Sequence, residues 1–64
     1  MFSVLYEADG EVHQIGPFDT EKKADAEAKK AQKKGEFDIR DQRVYLMHPT
    51  HRMVEYSMED LGVK

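Results

Sequence analysis

The chain has 64 residues, a formal net charge of −3, and neither cysteine nor tryptophan. That length admits one domain (1–64) with one small core, and the lack of cysteine excludes disulfides and thiolate metal sites. Mild acidity weighs against general duplex binding, for which a strongly basic domain is expected. A core of this size supplies about 3–5 kcal/mol of net stability, so a cysteine-free chain is left with oligomerisation, a partner or marginal stability. No apolar run approaches the roughly 20 residues that span a bilayer. The N-terminus, Met1 to Tyr6 and then acidic Glu7, lacks a leader pattern, which points to a cytoplasmic protein away from membranes.

Residues 2–15 read as a hairpin, because Asp9-Gly10 between alternating runs supplies the two positive-φ positions of a type I′ turn. Two-residue loop geometry pairs Ala8 with Glu11, Tyr6 with His13 and Val4 with Ile15. Phe2, Val4, Tyr6, His13 and Ile15 then share the core face, and Ser3, Leu5, Glu7, Val12 and Gln14 the other. Gly16-Pro17 is expected to stop the second strand.

Asp19 or Thr20 caps a helix that runs to about Lys34 and ends at Gly35. Ala24, Ala28 and Ala31 form a narrow stripe suited to close approach to a sheet. Lys22, Lys23, Lys29, Lys30, Lys33 and Lys34 fall on the far side, a pattern that is either a solvated face or a track for phosphates. Residues 19–35 carry these six lysines against four acids, whereas both flanking segments are net acidic.

Phe37 to Arg40 alternates and reads as a short strand of its own or as the start of a longer one, with a break at Asp41-Gln42. Arg43 to Met47 and Arg52 to Ser57 form a second hairpin across His48-Pro49-Thr50-His51. Placing Met47 opposite Arg52 puts Val44, Leu46, Met53 and Glu55 on one face. Arg43, Tyr45, Met47, Arg52, Val54 and Tyr56 fall on the other. The aliphatic set is assigned inward because it needs no polar partners. Glu59 to Gly62 is a tail with the makings of one helical turn.

These elements define an α+β domain of order ββαββ, a mainly antiparallel four-stranded sheet with one helix on one face and strand order 2-1-3-4. The candidate partner-binding surface is the outer sheet face: Arg43, Tyr45, Met47, Arg52, Val54 and Tyr56, with Leu5 and Val12 from the first hairpin. Tyr, Met and Arg are enriched in protein interfaces. The expected function is a non-catalytic protein-binding module that occupies a partner or pairs with itself. The alternative is a single-stranded nucleic-acid binder that stacks bases on Tyr45 and Tyr56 beside Arg43 and Arg52.

Catalysis is not expected. Ser3 and Ser57 lack a nucleophile-elbow context, and no glycine loop suits a phosphate. His48-x-x-His51 supplies two of the three or more protein ligands that a zinc site needs, with only Glu55 or distant His13 to add. No cofactor, metal or small-molecule substrate is therefore expected.

Gly16-Pro17-Phe18-Asp19-Thr20 followed by Ala24 and Ala28 resembles the strand-to-helix junction of two small families. One is the peptidoglycan-binding sporulation-related repeat; the other is the N-terminal DNA-binding domain of some phage integrases. The cause is generic: an aromatic plugs the helix end, a hydroxyl caps it and Ala faces the sheet. The first family requires export and the second carries a basic three-stranded sheet, so neither function transfers to this acidic hairpin. In length and charge mixture the chain is similar to small accessory proteins encoded by bacteriophages, many of which bind and modulate one host protein.

Overall fold

Asp9 and Gly10 adopt φ of 55° and 78°, and the turn they make closes a hairpin between β1 (Phe2–Ala8) and β2 (Glu11–Phe18). The computed structural model describes residues Met1–Lys64. The pairs Ala8–Glu11, Tyr6–His13 and Val4–Ile15 form as turn geometry requires. The second strand does not stop at Gly16-Pro17. Phe2 faces Phe18 while Val4 faces Ile15, so two residues oppose Ser3 in a bulge that carries the strand onward. Gly16 has a φ of 123°, and a Cβ there would lie 3.1 Å from the Phe18 ring.

Helix α1 (Glu21–Lys34) starts at Thr20, whose Oγ1 accepts from the Lys23 N–H at 3.2 Å. It ends in a Schellman motif at Gly35 (φ 81°): the Gly35 N–H donates to the Gln32 carbonyl and the Glu36 N–H to that of Ala31. Ala24, Ala28 and Ala31 are buried and all six lysines are exposed. With only methyl groups on its inner stripe, the helix lies close to the sheet, and the strands supply the bulk.

β3 (Val44–Met47) and β4 (Met53–Glu55) complete one sheet of order β2-β1-β3-β4. β1 is antiparallel to both neighbours, so β2 and β3, joined by the helix, run parallel on either side of it. Residues 37–40 are not a strand. Phe37 is 2% exposed in the core, and the segment is irregular because two glutamines take up its backbone groups. Gln32 Oε1 accepts from the Ile39 N–H, and Gln42 Oε1 accepts from that of Asp38. Gln42 Nε2 in turn donates to the Glu7 carbonyl at 2.7 Å.

The tail does form a 3-10 turn (Glu59–Leu61). Ser57 and Asp60 cap each other: the Asp60 N–H donates to Ser57 Oγ and the Ser57 N–H to Asp60 Oδ2. This turn sets Leu61 into the core beside Val4, Val44, Leu46, Phe37 and the three alanines.

The second hairpin corrects the expected register by one residue. Met47 faces Met53, Leu46 faces Val54 and Tyr45 faces Glu55. The loop contains three residues where four were expected. His48 N–H donates to the Arg52 carbonyl at 2.8 Å, and His51 N–H closes a turn onto His48. His51 itself takes φ 65°. A type I turn with Pro at its second position, followed by one left-handed residue, is the usual three-residue hairpin loop. Because side chains alternate with period 2, a one-residue slip exchanges the faces of β4 completely. Val54 and Tyr56 therefore lie on the helix side, and Met53 and Glu55 on the open side.

Candidate interaction surface

The side of the sheet away from α1 carries no helix, and the register orders its side chains in three rows. One row runs Gln14, Leu5, Tyr45, Glu55 across the four strands; a second runs Ser3, Met47, Met53; a third runs Val12, Glu7, Arg43. Leu5, Tyr45 and Met47 are half-buried by their neighbours, while Val12 (67%) and Met53 (48%) are largely exposed. The middle of the face is thus apolar and sulfur-rich. Charge borders it at Glu7 and Arg43 on one end and at Glu55 on the β4 edge, while Gln14, Val12 and Met53 leave the rest of the border uncharged.

Ser3 is nearly buried on this face and its Oγ accepts from Gln14 Nε2 at 2.9 Å, which satisfies the hydroxyl and ties β1 to β2. Contact with the Tyr45 phenol oxygen, reinforced by Glu55 and Glu7, holds the Arg43 guanidinium above its already high range. Arg43 is thus a cation beside Tyr45 in the field of Glu55 on β4 and Glu7 on β1.

Five of the eight residues expected on this surface are there together: Leu5, Val12, Arg43, Tyr45 and Met47. Three are not. Arg52, Val54 and Tyr56 border an open cleft of about 640 Å³ on the helix side, lined also by Glu21, Asp25 and His48. Tyr56 Oη donates to Asp25 Oδ1 at 2.6 Å. Partial burial, then this hydrogen bond, holds the phenol well above the usual tyrosine range. The base-stacking platform expected from Tyr45 with Tyr56 is therefore not formed, because the two rings lie on opposite faces.

Met53 and Glu55 take the vacated places on the open face. The signal for them was present in His48-Pro49-Thr50-His51. Proline suits the second position of a type I turn, and histidine is among the residues enriched at positive φ.

The histidines have separate settings. His48 packs edge-on to Phe2 with ring centroids 5.2 Å apart, and its Nε2 lies 3.7 Å from Glu21. His51 is an exposed turn residue, and His13 stacks on Tyr6 at 5.2 Å. No three His, Asp or Glu side chains gather in a way that would hold a metal ion. No helix is long and apolar enough to cross a membrane.

The fold and surface define a class: an α+β domain with a half-covered sheet. Comparison with protein-family models, curated proteins and solved structures gives no match.

Proposed function

We propose that this domain is a non-catalytic protein-binding module that engages a folded partner through the open face of its sheet. The observation that carries this reading is the grouping of Leu5, Tyr45, Met47 and Met53 in adjacent rows, bordered by Arg43, Glu7 and Glu55. An apolar centre containing Tyr and Met with a partly charged border is the anatomy of a protein interface. The face sits on hydrogen-bonded strands, so presenting it to a partner costs little ordering entropy. The module acts by occupying its partner's surface, in the manner of the small accessory or inhibitor proteins that bacteriophages encode. A cysteine-free chain suits a cytoplasmic setting.

The test is affinity capture from a nuclease-treated lysate of the native host, using wild type, Tyr45→Ala and Met53→Ala at matched concentration. One protein retained by wild type and lost by both variants, with their melts unchanged, supports the reading. Retention of that protein by both variants overturns it.

A further inference from the structure

On the helix side, away from the open sheet face, a groove of about 770 Å³ runs between α1 and the C-terminal segment. Its walls carry five cations, Lys29, Lys30, Lys33, Arg40 and Lys64, against one acid, Glu59. They come from three separate stretches of a chain whose net charge is −3. Like charges brought together from distant segments repel, and an anion placed among them relieves that repulsion.

The cations differ in how committed they are. Lys30 Nζ lies 3.7 Å from Glu27. Arg40 is gripped by Asp38 through Nε at 3.0 Å and Nη2 at 3.1 Å, which fixes the guanidinium in place and leaves its other N–H donors free. No carboxylate side chain comes within 4.0 Å of the ammonium of Lys29, Lys33 or Lys64. Lys29 and Lys33 are one helical turn apart and so flank the same space. The apolar part of the lining comes from Ala26, Val63 and the little of Leu61 that remains exposed.

We propose that this groove binds a small organic polyphosphate of the nucleoside di- or triphosphate type. The phosphates are met by Lys29, Lys33 and Arg40, and the organic part rests against Ala26, Val63 and the exposed edge of Leu61. The volume falls in the range of small-molecule sites. The ligand is held, not turned over, and the proposal does not depend on the sheet-face reading.

The test is a titration of the ¹⁵N-labelled chain with ATP at low ionic strength, following backbone amide shifts. Saturable shifts confined to Lys29, Lys33, Arg40, Val63 and Lys64 are expected. Lys29→Gln/Lys33→Gln should weaken binding roughly tenfold or more, the scale of losing charge-assisted hydrogen bonds. Lys22→Gln/Lys23→Gln removes the same charge from the same helix outside the groove and should leave the affinity within about twofold.

Equal losses in the two variants would mean diffuse attraction to the helix and overturn the site, as would failure to saturate. Tripolyphosphate bound as tightly as ATP would overturn the assignment of an organic part. An oligothymidylate that binds the same amides more tightly than ATP would overturn the small-molecule assignment in favour of a nucleic-acid strand.

Discussion

The phenol of Tyr56 and the carboxylate of Asp25, 31 residues apart in the chain, meet in a 2.6 Å hydrogen bond that ties the end of the second hairpin to α1. Tyr56→Phe keeps the ring and removes the bond, at an expected cost of about 1 kcal/mol in chemical denaturation. The phenol's pKa is raised in the folded state, so its contribution is complete below the ordinary tyrosine value of 10.0 and is lost as pH rises above it. Stability measured between neutral pH and the alkaline limb should therefore fall more steeply for wild type than for Tyr56→Phe.

The αL residue of the second loop has its own test. His51→Val forces a β-branched side chain into φ 65° and should cost about 1–2 kcal/mol. His51→Gly should be neutral or slightly stabilising. Equal denaturation midpoints for the two variants would count against the three-residue loop and the register it imposes.

Gly16→Ala should be destabilising by about 1–3 kcal/mol, since strain at a positive φ coincides with a Cβ 3.1 Å from the Phe18 ring. Gly10→Ala carries the backbone strain alone, because nothing lies within 4 Å of its Cβ position. The Gly16 variant is expected to melt lower than the Gly10 variant.

Ala28 is fully buried between helix and sheet, so Ala28→Leu should overpack the contact and cost about 1–3 kcal/mol. Lys22→Leu, on the exposed side of the same helix, should leave the midpoint nearly unchanged. A reversed ranking in urea denaturation would mean that the helix presents a different face.

Asp38 is held down to about 2, first by the side-chain hydrogen bond from Arg40 and then by the Arg40 backbone N–H. A depressed folded value means its contribution is present above the ordinary value of 3.8 and is lost as pH falls toward 2. Acid titration of stability should show a smaller decline over that interval for Asp38→Asn than for wild type.

Much of this protein is decided within a few residues of chain. Asp9-Gly10 closes its hairpin because both positions tolerate positive φ, and that loop length alone sets the pairs from Ala8–Glu11 to Val4–Ile15. Thr20, Gly35 and the alanine stripe delimit and orient α1 by local capping and helical period. From these parts the ββαββ order and the sheet order β2-β1-β3-β4 follow. Five of the eight surface residues were legible for the same reason, since β1, β2 and β3 keep the parity their local patterns dictate.

The rest depended on tertiary structure. Met53 and Val54 are both apolar, so alternation in β4 is compatible with either face, and the choice passes to the backbone angle of one loop residue, His51. That single αL residue moves Tyr56 under the helix to reach Asp25 and sends Met53 to the open face. Leu61 lies in a segment with no readable period, and Phe37 in one whose alternation suggests a strand that does not form. They become core because Gln32, Gln42 and the Ser57–Asp60 pair take up backbone groups that regular structure would otherwise satisfy, leaving the side chains free to fill space beside the small alanines. The bonds that do join distant segments, Gln42 to the Glu7 carbonyl and Tyr56 to Asp25, do not show in local sequence, because neither partner's residue type specifies the other.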